Sequence, residues 1–182
     1  MNTKRMLLNI LIGLAVVIVV FVIVVATRPA DFRVARTLAF AAPPDAVFPH
    51  VNELQQWEAW NPWGKVDPNM KLTYAGPASG VGASYAWVGN NEVGEGRSTI
   101  TEVRANELVQ LKLEFFKPMA GVCVAEFTFK PQGSQTEVTW AMTGKHNFIA
   151  RAMCLFMNMD KMIGGQFEKG LADLKAIVEG KK

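Results

Sequence analysis

Met6 to Ala26 (MLLNILIGLAVVIVVFVIVVA) is a run of 21 residues with no charge, and Asn9 is its one strongly polar side chain. A helix rises ~1.5 Å per residue, so about 20 such residues cross a ~30 Å hydrocarbon core. The run is apolar on every side and largely β-branched, unlike a core helix with one wet face. A cleaved signal peptide is the competing reading, with Lys4 and Arg5 as its basic start. Signal cores are usually about 7–15 residues, however, and no Ala-x-Ala site follows in Val24-Val25-Ala26-Thr27-Arg28-Pro29-Ala30. The pattern favours an uncleaved, single-pass anchor. Lys4 and Arg5 adjoin the run directly, against Arg28, Arg33 and Arg36 with Asp31 on the other side. By the positive-inside rule this favours the tail in the cytoplasm and the rest outside it.

After the anchor the period changes to two. Phe32, Val34, Arg36, Leu38 and Phe40 alternate with Arg33, Ala35, Thr37 and Ala39, which predicts a strand. Pro43-Pro44-Asp45 then opens a short helix over 45–52, since proline suits a first helical turn. An aromatic cluster follows, Trp57-Glu58-Ala59-Trp60-Asn61-Pro62-Trp63, in which Pro62 is expected to end any helix. Strands are predicted over 71–75, 82–89, 95–104, 107–116, 121–130 and 135–143, separated by turn residues such as Gly76-Pro77, Ala105-Asn106 and Gln132-Gly133-Ser134. The gaps leave no room for crossover helices, so the sheet is expected to be antiparallel. Finally, Ala152, Leu155, Phe156, Met159, Ile163, Phe167, Leu171, Leu174 and Val178 recur at gaps of three and four, apart from the adjacent pair Leu155-Phe156. They predict one long helix over 148–179, with Gly164-Gly165 as a kink site.

The expected organisation is a basic tail over 1–5, a transmembrane helix over 6–27, a linker over 28–31 and one domain over 32–180. A sheet with one apolar face needs a cover, and the terminal helix supplies it. The predicted fold is α+β: a curved antiparallel sheet of about seven strands wrapped around a long C-terminal helix.

The formal net charge is +3, of which Lys4 and Arg5 carry two, leaving +1 for the rest. The terminal Lys181-Lys182 is the only other basic cluster, which argues against a nucleic-acid partner. Cys123 and Cys154 stand 31 residues apart with no Cys-x-x-Cys. They read as free thiols, or as a disulfide if their Cα atoms approach within about 7 Å in an oxidising compartment. No metal, nucleotide or cofactor motif is visible. Gly80-Val81-Gly82 and Gly94-Glu95-Gly96 lack the strand–loop–helix context of a phosphate loop and read as turns or bends.

This order of elements resembles the START-like (SRPBCC) superfamily, the helix-grip fold, and within it the polyketide cyclase/dehydrase branch. The resemblance is carried by Ala42-Pro43-Pro44-Asp45-Ala46-Val47-Phe48, by Trp57-x-x-Trp60-x-Pro62-Trp63 and by Gly80-Val81-Gly82. It is carried also by Thr136-Glu137-Val138-Thr139-Trp140 and by the closing Phe167-Glu168-x-Gly170-Leu171-x-x-Leu174-Lys175. It spans about residues 32–178 and implies a deep apolar cavity between sheet and helix. It brings no fixed catalytic residues. Members are commonly soluble, whereas this chain carries an anchor, which points to a ligand found at membranes.

The candidate ligand-binding residues are Trp60, Trp63, Tyr85, Trp87, Phe127, Trp140, Met142, Phe156 and Met159, each readable also as ordinary core. Trp57 belongs with them as an aromatic that can line a pocket mouth. The half-helix 148–162 holds four of the nine methionines, Met153, Met157, Met159 and Met162. It reads as a pocket wall, a membrane-contacting face or plain packing. Asp160 and Lys161 read as solvent-facing charges. His50 and His146 lack partners at metal or triad spacing. Glu126 is the weak catalytic candidate, since a carboxylate inside an apolar cavity acts as a general acid or base; Glu114, Arg97 and Asn91 rank below it. Three functions remain: a tethered binding protein for an apolar small molecule or lipid, a cyclase/dehydratase-type enzyme, and a protein-interaction module with a filled core. Oligomeric state is not legible.

Overall fold

A computed structural model describes residues 3–180; Met1, Asn2, Lys181 and Lys182 lie outside the described residues. The chain forms two compact units. The first comprises the residues up to Phe32 together with Lys145–Asn158, and the second comprises Arg33–Gly144 with Met159 onward.

In the first unit, α1 runs from Thr3 to Ala26 and is long and apolar enough to cross a membrane. A second helix, numbered α4 in chain order, spans Phe148–Met153 and packs against it. Asn147 caps α4 by accepting a hydrogen bond from the Ala150 amide at 2.8 Å.

The second unit holds the sheet. Seven strands, β1 (Asp31–Phe40), β2 (Lys71–Ala75), β3 (Ser84–Val88), β4 (Glu95–Arg104), β5 (Leu108–Lys117), β6 (Gly121–Gln132) and β7 (Gln135–Lys145), lie in the order β1-β7-β6-β5-β4-β3-β2. β2 to β7 pair as an antiparallel meander, and β1 closes the far edge beside β7. Alternation dictates which face is buried. Ala125, Phe127 and Phe129 of β6 and Val138, Trp140 and Met142 of β7 point inward with Val34 and Phe40 of β1. The helix α5 (Met159–Val178) covers this face with Phe167, Leu171 and Leu174.

Between β1 and β2 come α2 (Pro44–Asn52), a tight 3-10 turn (Leu54–Ala59) and α3 (Pro62–Val66). Pro62 begins a helix rather than ending one. Asn61 adopts the extended conformation expected before proline (φ −63°, ψ 119°), and its side-chain oxygen accepts from the Trp63 amide at 3.2 Å, so it is the cap of α3. Two tryptophans close the preceding helix. The Trp57 and Trp60 indole N–H groups donate to the carbonyls of Val51 (2.9 Å) and His50 (3.1 Å). Those carbonyls lie in the last turn of α2, where helix carbonyls commonly lack an intrahelical partner.

The expected helix over 148–179 is two helices. Residues 154–158 break it with short-range turns, Leu155 N to Ala152 O and Phe156 N to Met153 O. A fresh start then follows at Met159, with Asp160 in the first turn, where an acidic side chain suits the helix dipole. Gly164-Gly165 does not interrupt α5, which runs unbroken through both. Gly164 serves a contact instead: the Arg36 guanidinium lies against it, where any Cβ would clash. Arg36 bonds Asp160 (3.0 Å) and Glu168 (2.6 Å), one turn of α5 to either side. Asp160 is therefore solvent-exposed and at the same time a partner of β1, and Arg36 holds its carboxyl below the ordinary value.

Gly170 marks a second close approach, since a Cβ there would sit 2.9 Å from the Trp140 ring and 3.0 Å from Pro62. Gly170→Val is expected to lower stability by about 2 kcal/mol through overpacking. Gly165, whose Cβ would meet nothing within 4 Å, is the control. Gly165→Ala is expected to raise stability by up to about 1 kcal/mol through helix propensity. Denaturant unfolding followed by tryptophan emission reads both, and equal effects of the two would refute the packing described for α5.

Candidate functional site

The space expected to be a deep cavity is occupied by aromatic rings. Trp140 stacks on Phe167 of α5, with centroids 4.2 Å apart and planes 12° apart, and on Phe127 of β6 at 4.8 Å. Trp57, Trp60 and Trp63 meet Trp140 edge-on at 6.3, 5.7 and 5.8 Å. Offset stacks and edge contacts are the favoured aromatic geometries. Trp60, Phe127 and Phe167 are all but inaccessible to solvent. The Trp140 indole nitrogen is buried without a hydrogen-bond partner.

Open space lies at the β2–β3 end of the sheet. One cleft of ≈ 210 Å³ is lined by Leu54, Trp57, Asn61, Leu72, Tyr74 and Tyr85, with Glu58, Gly64, Asp67, Pro68 and Met70 completing it. A second, of ≈ 290 Å³, shares Leu54 and Tyr74 and continues along Gly76, Pro77, Ala78 and Ser84. Tyr74 divides them. Its hydroxyl donates to Glu58 Oε1 at 2.7 Å. Asp67 is buried, but its carboxylate is engaged by the amides of Asn69 (3.0 Å) and Asn90 (2.7 Å). It fastens the segment after α3 to the β3–β4 hairpin.

Both tyrosines of the chain, Tyr74 and Tyr85, border this space. Burial raises the pKa of Tyr74, and the hydrogen bond and negative charge of Glu58 raise it further. Burial raises that of Tyr85 too, opposed in part by the polar side chains of Asn61 and Ser98.

Of the nine expected ligand-binding residues, Tyr85 lines the cleft. Trp60, Phe127 and Trp140 belong to the closed aromatic cluster, and Trp63, half-buried, sits at its edge against Phe167. Trp87 packs between Tyr85 (5.9 Å) and Phe115 (5.7 Å). Met142 is buried on β7 and Met159 is half-buried at the start of α5. Phe156 is 81% exposed in the turn after α4. Glu126, the weak catalytic candidate, is half-buried and alternates with Ala125 and Phe127, so it faces away from the aromatic interior. Glu114 is bound to Lys112 at 2.7 Å, which lowers its pKa, and Arg97 and Asn91 are exposed. His146 stacks on Phe32 at 4.3 Å, and its Nε2 lies 3.7 Å from the Cys154 sulfur; both cysteines are free thiols. Among the described residues no cluster of His, Cys, Asp and Glu could hold a metal ion.

Pattern reading passed over Glu58, Asn61 and Tyr74. Leu72 and Tyr74 share one face of the 71–75 alternation, which was the available signal for β2 as a wall.

The fold and the aromatic grip of sheet on helix define a class, the helix-grip proteins. Within it the chain belongs to the family described as polyketide cyclase / dehydrase and lipid transport, which matches residues 31–179. Solved structures share the fold at low identity. A protein of Chromobacterium violaceum is 15% identical with a TM-score of 0.59, covering 84% of this chain and 99% of its own. One of Mesorhizobium loti is 14% identical with a TM-score of 0.60, covering 83% and 99%. The Aha1 dimer of Colwellia psychrerythraea is 16% identical with a TM-score of 0.60, covering 83% and 98%. No curated protein matches the chain.

The tyrosines give a direct check on the site. A free tyrosine ionises near pH 10. A raised folded pKa means that the stability due to each phenol is full below the unfolded value and lost as pH rises through the folded one. Ultraviolet titration of the native protein is therefore expected to show little phenolate at pH 10, with both signals appearing together as the domain unfolds in stronger alkali. Half-ionisation of either tyrosine at pH 10 in folded protein would contradict the enclosure described.

Proposed function

We propose that the chain is a membrane-tethered binding protein. α1 is its anchor, and it takes a small, mostly apolar molecule in the cleft between the Leu54–Gly64 segment and β2–β3. The observation that carries this reading is the composition of that cleft. Leu54, Trp57, Met70 and Leu72 offer apolar wall, while Glu58, Asn61 and the tyrosine hydroxyls offer a few polar groups to orient a ligand. Ligand sites are typically clefts of about 300–1,000 Å³. The ≈ 210 and ≈ 290 Å³ clefts adjoin at Leu54 and Tyr74, and together they approach that size. The family description, which includes lipid transport, agrees with an apolar ligand. The basic residues beside α1 favour the binding domain outside the cytoplasm.

A cyclase-type reaction has less support. Glu126 faces the wrong way, Glu58 is held by Tyr74, and the Asp67 carboxylate is committed to backbone amides. A second reading, an interaction module, is favoured by the filled aromatic interior, and one relative in fold is described as a dimer.

Gly64 provides the test, because it lines the cleft and a Cβ there would meet nothing within 4 Å. Gly64→Leu should fill the cleft without disturbing the fold. Full-length protein released from mild detergent for native mass spectrometry is expected to carry a discrete organic adduct that Gly64→Leu lacks. An adduct kept by Gly64→Leu would move the site elsewhere. Adduct-free spectra from both, with a mass of two chains, would favour the interaction module.

A further inference from the structure

The first unit contains an apolar surface that neither the aromatic core nor the cleft uses. In residues 148–157 (FIARAMCLFM) the sole charged side chain is Arg151. α4 buries none of its residues. Phe148 is 41% exposed, Ile149 59%, Met153 41%, Phe156 81% and Met157 37%. A water-facing segment of this length would normally carry several charges, and a contiguous apolar patch signals a contact surface.

What covers the patch is indicated by where α4 is fastened. Arg151 Nη1 donates to the carbonyls of Ala26 (3.2 Å) and Arg28 (3.3 Å). Ala26 is the last residue of the apolar run, and a cation suits the negative end of a helix. The His146 amide donates to Ala30 O at 2.8 Å, Phe32 stacks on His146, and Lys145 lies 3.8 Å from Asp31. α4 is thus bound to the few residues by which the chain leaves α1. The 21-residue uncharged run matches a ~30 Å hydrocarbon core, which places Ala26 at its edge. Anything hydrogen-bonded to its carbonyl stays within a side chain's length of that edge.

We propose that residues 148–157 form an interfacial foot that lies in the headgroup and upper acyl region of the bilayer that α1 spans, with Phe148, Ile149, Met153, Phe156 and Met157 as the inserted side chains. The proposal rests on α1 being a membrane span. Helices of this kind lie ~5–10 Å deep, where apolar side chains meet lipid and a long basic side chain reaches polar groups. Arg151 satisfies that geometry by turning back to the carbonyls of α1.

The test uses full-length protein reconstituted in phosphatidylcholine vesicles. The native thiols are removed as Cys123→Ser and Cys154→Ser, and a single NBD fluorophore is attached at Phe156→Cys or, separately, at Leu14→Cys in mid-helix. Phe156 is largely exposed, so the label displaces no packing. With lipids brominated near the top of their acyl chains, the label at 156 is expected to lose most of its emission and to resist an aqueous quencher. The label at 14 should respond to bromines placed deeper. If 14 is quenched by lipid while 156 is open to the aqueous quencher, the foot is refuted and the anchor stands. If 156 is shielded from both quenchers, a second copy of the chain covers the patch and the proposal fails. If neither site senses lipid bromine, the membrane span itself is wrong and the foot falls with it.

Discussion

The stack of Trp140 on Phe127 and Phe167 is the contact on which the domain depends. It joins β6 and β7, the last two strands of the meander, to the covering helix through one indole. Each such pair contributes about 0.5–1.5 kcal/mol beyond the area it buries. Geometry matters as much as energy here. Gly170 lets the α5 backbone approach the Trp140 ring, and Pro62 meets the same glycine from α3. One residue without a side chain therefore brings helix, sheet and the tryptophan-rich segment to a common point. The space so filled is no longer open to a ligand, whereas the β2–β3 end keeps two open clefts.

Charged contacts align what the aromatics hold together. Arg36 grips α5 at Asp160 and Glu168, Lys175 donates to Ala39 O at 2.6 Å, and Glu179 accepts from the Ala41 amide at 2.7 Å. These contacts run along β1 and fix the helix in register with it. The carboxylates of Asp160 and Glu168 are exposed, so the contacts set position more than stability. Trp57 and Trp60 do the corresponding work for α2 by taking up its terminal carbonyls. Their indole nitrogens are consumed in structure, and what Trp57 presents to the cleft is ring surface.

The strands were legible because each alternates for five or more residues between turn-forming residues, and a period of two has no competing interpretation. The boundary at Pro62 was less so. Asn61-Pro62 disfavours helix at Asn61 and favours it after Pro62, so the same dipeptide marks an end or a beginning. Only the Asn61 hydrogen bond to Trp63 decides. The break at 154–158 escaped periodicity because turns of three residues keep apolar side chains at nearly helical spacing. The cleft escaped for a different reason. Glu58, Asn61, Tyr74 and Tyr85 come from separate segments, and no spacing along the chain encodes their meeting. Trp60, Phe127 and Trp140 were visible as large inward aromatics, but whether such rings line a void or fill it depends on three-dimensional packing.

The same C-terminal stretch shows how the chain allots its apolar surface. α5 turns Phe167, Leu171 and Leu174 into the sheet and leaves its acidic residues outside. α4 has apolar side chains at similar density but buries none, and its single charge is folded back onto the end of α1. In water that arrangement is unfavourable: burying a side chain such as Phe or Met is worth roughly 1.5–3 kcal/mol, and α4 forgoes it. The arrangement becomes favourable where the surroundings are themselves apolar and the backbone stays paired, as the capped helix α4 is. The change occurs between Met157 and Asp160. Before it, the one charge is folded back and apolar side chains are displayed; after it, Asp160 and Glu168 are displayed while Phe167, Leu171 and Leu174 are withdrawn and Met162 stays exposed.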